Sequence, residues 1–154
     1  MNYFRVVLVL SALLTLPSQY SAASEPPRAA ELQAVANQLR VRLDIFERVD
    51  VTLVENNPLV LSVETRSGRS GPFVISVDEA FIETLTAAEV EAALAHELGH
   101  VWIYTHHPYL QTEKLANDIA MRVVSRSTLE PVYEKVWKRT GIKGNLAEFI
   151  GQEP

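Results

Sequence analysis

No cysteine occurs anywhere in this 154-residue chain. That excludes a disulfide framework, a thiolate metal ligand and a cysteine nucleophile. Any metal must therefore be held by histidine and carboxylate. Positive charge is scarce as well: 14 Lys and Arg stand against 19 Asp and Glu, a formal net charge of -5. With no Lys/Arg cluster, a nucleic-acid surface is not expected. There is no internal repeat and no low-complexity block. No apolar run is long enough to span a bilayer, which needs about 20 residues.

The longest apolar run, "VVLVLSALLTL" at residues 6–16, has a different use. Arg5 precedes it, Pro17 ends it, and "SAAS" at 21–24 supplies small residues where a signal peptidase reads. Residues 1–23 are expected to be a signal peptide, with export to the periplasm or outside the cell. Without a following cysteine, lipid anchoring is excluded, and no stable membrane span is expected after removal. Loss of Arg5 takes the net charge from -5 to -6.

Residues 24–28 form a Pro-rich spacer, and a single domain is expected over 29–151. At 29–46, Leu32, Val35, Leu39, Leu43 and Phe46 recur every three or four places, the pattern of an amphipathic helix. Three β-branched stretches follow, at 49–55, 59–65 and 72–77. Polar turns separate them, and Arg66 and Arg69 fall in the second. Short connections predict a small, mostly antiparallel three-stranded sheet. A short helical segment covers 78–85. Thr86 with Glu89 then makes a capping box before an Ala-rich helix running to about Tyr104. Pro108 breaks the chain. A further helix is expected over 110–126, with Leu115, Ile119 and Val123 on one face. Ser127 and Glu130 repeat the capping-box spacing before a last long helix, and 145–151 can add one turn. The fold class is α+β: an N-terminal helix, the sheet, the Ala-rich helix and two or three more.

That Ala-rich helix carries "HELGH", residues 96–100. Positions i and i+4 share a helix face, so His96 and His100 can reach one ion. Catalytic zinc takes three protein ligands plus water. Glu97 is offset by one residue, so it can reach that water without binding metal, the place of a general base. Gly99 costs about 1 kcal/mol of helix propensity, which a purely structural helix would avoid. The third ligand must be His, Asp or Glu. Glu113 is selected because it opens the next helix, which a short connection makes a neighbour. Asn117, four residues on, shares its face and can accept a hydrogen bond from a ligand imidazole. Asp118 points about 100° away. His106, Tyr104, Tyr109 and Tyr133 are candidates to hydrogen-bond an oxyanion or the substrate. Trp102 and Trp137 are expected to pack in the core.

"LAHELGH" followed by "EKLANDIA" resembles the gluzincin metallopeptidases, and among them the family of the CAAX prenyl protease and the bacterial heat-shock membrane protease, in its minimal soluble form. The resemblance covers residues 49–126. It implies a small zincin-like fold, with His96, His100 and Glu113 as ligands of one zinc per chain and Glu97 as catalytic base. It also implies small residues at Ala116 and Ala120, and an edge strand, "PFVISV", pairing with extended substrate. The family's usual Asp is replaced here by Asn117. The implied activity is hydrolysis of peptide or protein substrates. A zinc-binding assembly protein with little proteolysis is the alternative.

Overall fold

A computed structural model describes residues 27–65, 71–142 and 144–152. The expected signal segment and the Arg66 and Arg69 loop lie outside them.

The first helix, α1 (Pro27–Arg42), buries Leu32, Ala36, Leu39 and, just past its end, Leu43. It stops earlier than its periodicity suggests. Asp44 takes a left-handed conformation at φ 56°, which turns the chain. Ile45 is consequently buried, and Phe46, expected on the apolar face, is 87% exposed.

Three strands follow: β1 (Val49–Val54), β2 (Leu61–Thr65) and β3 (Phe73–Asp78). The sheet order is β1-β3-β2. β3 runs parallel to β1 and antiparallel to β2. The sheet is thus mixed, where short connections pointed to mostly antiparallel pairing. Asn57 shows why β1 and β2 do not close as a hairpin. Its side-chain amide donates to the Ser76 carbonyl at 2.9 Å and the Ser62 hydroxyl at 3.1 Å. The connection is thereby tied to β3, which enters between the other two. β3 also suits the central place: Phe73, Val74, Ile75 and Val77 are all buried.

Register puts the apolar residues on one face. Val49, Val51 and Leu53 lie opposite Phe73, Ile75 and Val77. Val77 and Ile75 lie in turn opposite Leu61 and Val63. The other face carries mainly polar side chains, including Asp50, Thr52, Ser62, Glu64 and Ser76.

Asp78 caps α2 (Glu79–Ile82) by accepting from the Phe81 N–H at 2.8 Å. Thr86 and Glu89 form the expected capping box for α3 (Ala87–His106). Leu94, Leu98, Val101 and Ile103 on α3 are fully buried, making it the central helix of the core. It contacts α1, β2, α4 and α5.

α4 (Glu113–Ala120) is shorter than the 110–126 span expected. Thr112 starts it by accepting from the Leu115 N–H at 3.2 Å, and turns follow Ala120. The next helix, α5 (Arg126–Thr140), begins before Ser127, so the second expected capping box does not form. Glu130 instead accepts from Arg126 at 2.7 Å. Gly141, left-handed at φ 73°, ends α5. The tail forms α6 (Leu146–Ile150), packed on α4 and α5. Among the described residues no helix is long and apolar enough to cross a membrane.

Candidate metal centre

His96 and His100 lie one turn apart on α3, and their Nε2 atoms are 3.3 Å apart. The close approach of α4 brings Glu113 to both. Its Oε2 is 3.2 Å from His96 Nε2, and its Oε1 is 3.4 Å from His100 Nε2. The three groups could hold a metal ion, with ligand atoms within 4.8 Å of one another.

Each imidazole is oriented from behind by a side-chain amide. Asn117, fully buried, places its Oδ1 2.8 Å from His96 Nδ1. Its amide nitrogen donates to Tyr133 Oη at 2.7 Å and to the Phe149 carbonyl at 2.9 Å. Gln111 places its Oε1 3.1 Å from His100 Nδ1, and its amide nitrogen donates to the His100 carbonyl at 3.1 Å. A main-chain carbonyl only accepts, so each amide presents its oxygen to the ring. Each Nδ1 then carries the proton, and each Nε2 keeps its lone pair.

Two lone pairs and a carboxylate thus converge with no proton donor between the two Nε2 atoms. That donor set fits a cation. Ligands about 2.0–2.2 Å from an ion at the tetrahedral angle stand roughly 3.3–3.6 Å apart. The two Nε2 atoms, 3.3 Å apart, meet that range, and each faces its own Glu113 oxygen, at 3.2 Å and 3.4 Å.

Charge distribution follows from these contacts. Once protonated at Nε2, the His100 and His96 rings donate to the Glu113 carboxyl and hold it well below the usual carboxylate range, against the opposing effect of its partial burial. For His100, burial favours the neutral ring. The Glu113 and Gln111 hydrogen bonds, with the Glu97 and Glu113 charges, outweigh it and raise its pKa. Glu97 is buried at 7% exposure and makes no hydrogen bond among the described residues. Burial pushes its carboxyl up, with the two histidines opposing. Burial likewise raises the Tyr133 phenol, which stays protonated and directs its O–H to Glu113 Oε2 at 3.4 Å.

The group opens onto a cleft of about 790 Å³. β2 forms one wall. Leu129, Val132, Val136, Trp137 and Phe149 form much of the other, and Glu97 faces in beside the histidines. The edge strand beside the cleft is therefore β2 rather than the expected "PFVISV", which is central.

The remaining candidates separate clearly. Tyr133 and Tyr104 line the cleft. His106 does not: it stacks on Trp102 with centroids 4.1 Å apart, its Nδ1 donating to the Trp102 carbonyl at 2.9 Å. Tyr109 is 85% exposed and away from the cleft lining. Asp118 pairs with Lys114 at 2.8 Å. Trp102 is half-buried between structural neighbours, with the Arg122 guanidinium 4.9 Å from its ring. Trp137, expected in the core, is half-buried and part of the cleft wall. Gln111 and the Phe149 carbonyl were not read from the sequence. A main-chain carbonyl carries no sequence signal, and a loop glutamine just before an N-cap is unremarkable.

No protein-family model matches the chain, and no curated protein matches it. Its fold is similar to that in the crystal structure of the metallopeptidase zymogen of Pyrococcus abyssi abylysin. The TM-score is 0.52 at 15% sequence identity, covering 74% of this chain and 99% of that one. The likeness is one of fold, an α+β architecture.

Proposed function

We propose that the chain is a zinc metallopeptidase of the gluzincin type, exported by its N-terminal segment. One observation carries this reading. Three metal-competent side chains converge beside a buried, unbonded glutamate on the wall of an open cleft. The metallopeptidase fold and the "LAHELGH" and "EKLANDIA" motifs support it.

His96, His100 and Glu113 would hold the ion. Bound zinc supplies Lewis acidity, which activates water toward a carbonyl at neutral pH. Glu97 acts as general base. Its carboxylate takes one proton from the attacking water and delivers it to the leaving amine nitrogen. Hydroxyl is added to the carbonyl carbon as the C–N bond breaks, and no covalent intermediate on the protein is needed. The Tyr133 hydrogen is committed to Glu113, so Tyr133 holds a ligand in place. Among the described residues β2 pairs with β3 alone, and the outer edge of its Leu61–Glu64 stretch can hydrogen-bond an extended peptide.

Metal analysis and a peptide-digestion assay test the reading. The purified chain should carry about one zinc, as three-ligand catalytic sites do. The wild type should cleave a diverse peptide mixture, and Glu97→Gln should keep zinc and lose cleavage. Equal cleavage by the two proteins would refute the base. Zinc without cleavage in either would favour the assembly protein.

A further inference from the structure

The His96 ring owes its orientation to the far end of the chain. Asn117 has three polar partners, and both of its amide hydrogens are in use. Its Oδ1 takes the His96 Nδ1–H at 2.8 Å. Its two amide hydrogens go to Tyr133 Oη at 2.7 Å and to the Phe149 carbonyl at 2.9 Å. The Phe149 carbonyl is the partner that forces the amide's sense, because it can only accept. Phe149 lies on α6, which is anchored by Ile150, 2% exposed, and by the Arg126 bond to the Ile150 carbonyl at 3.3 Å.

Taking the metal-centre reading above as its premise, we propose that α6 is a working part of that centre. Its Phe149 carbonyl sets Asn117, and Asn117 sets the tautomer and angle of His96. Asn117 is then a positioning residue that must be an amide. A carboxylate there would turn an acceptor oxygen toward the Phe149 carbonyl, and two acceptors repel when no proton lies between them. An acidic residue at 117 would thus be paired with His96 only by releasing α6. Metal affinity is thereby coupled to docking of the last helix, 32 residues along the chain from Asn117.

The test uses the full chain and two readouts. The first is the ¹⁵N shift pair of the His96 imidazole in metal-free protein. Wild type should show the Nδ1–H tautomer. Asn117→Ala, and Ile150→Asp, which releases α6 without touching the site, should both show a tautomer mixture. The second is zinc affinity by competition with a chromophoric chelator. Each variant should lose about 10–100-fold, the range typical for groups that orient a ligand. The double variant should lose no more than the larger single loss, because both act through one chain of bonds. If Ile150→Asp frees the α6 amides to hydrogen exchange but leaves the tautomer unchanged, the coupling is refuted. Multiplying losses in the double variant would refute it too. A wild type that shows the expected tautomer but takes up no zinc would overturn the metal reading and leave the amide clamp standing. Should Asn117→Ala fail to fold, Ile150→Asp decides alone.

Discussion

Gly99 on α3 lies directly beneath the main chain of Ala116 on α4. A Cβ at residue 99 would collide with the Ala116 carbonyl oxygen and stand 3.0 Å from its Cα. The missing side chain lets the two helices close, and Glu113 and Asn117 flank Ala116 on the helix so admitted. The glycine therefore serves the site through packing, at the cost in helix propensity noted from the sequence.

Gly99→Ala should destabilise the protein by about 1–3 kcal/mol through overpacking. The opposing gain in helix propensity is at most about 1 kcal/mol. Urea denaturation measures the first effect. Zinc affinity should fall as well, because α4 carries Glu113 outward. A more stable variant with unchanged affinity would show that the contact relaxes freely.

Glu97→Gln should stabilise the metal-free chain at neutral pH. Burial raises the Glu97 pKa above its ordinary 4.5, so the fold favours the uncharged acid. Ionisation above that pH therefore opposes folding. The advantage of the Gln variant should shrink as pH falls through the raised folded value and level off below 4.5, where Glu97 becomes protonated in both folded and unfolded chains. Melting temperatures of both proteins across that range check the sign, and a gap that widened in acid would contradict it.

On the proposed mechanism, hydrolysis should have an acid limb. Glu97 accepts a proton only when ionised, so the rate should drop as pH falls through its pKa in the metal-loaded enzyme. There the cation's charge opposes the burial that raises it in the metal-free chain. A rate that kept rising as pH fell through about 4 would mean that Glu97 is not the base.

Gln111→Ala should weaken zinc binding by about 10–100-fold with little change in stability. Gln111 is exposed, so no core is disturbed, yet it alone among the described residues hydrogen-bonds His100 Nδ1. Gln111→Glu keeps an acceptor oxygen but loses the bond to the His100 carbonyl, so it should recover only part of the affinity. Competition with a chelator gives both numbers. Wild-type affinity in the Ala variant would remove Gln111 from the centre.

Interactions that close within one helical turn were legible in the sequence. The Thr86–Glu89 capping box and the His96–His100 pair depend on i,i+3 and i,i+4 spacing, which the helix imposes whatever surrounds it. Glu113 was legible at one remove, because a short connection leaves consecutive helices as neighbours. The α+β class followed from the switch between the two periodicities. What remained depended on contacts across the chain. Strand order rests on Asn57 reaching the Ser76 carbonyl of β3. The end of α1 rests on a left-handed turn at Asp44, which buries Ile45 and exposes Phe46. The orientation of His96 rests on the Phe149 carbonyl, a group that every residue carries and that no pattern of side chains can single out. The sequence by itself determined which residues could bind a metal. Only the tertiary structure decided how they are aimed, because hydrogen-bond direction is a property of partners brought together by packing.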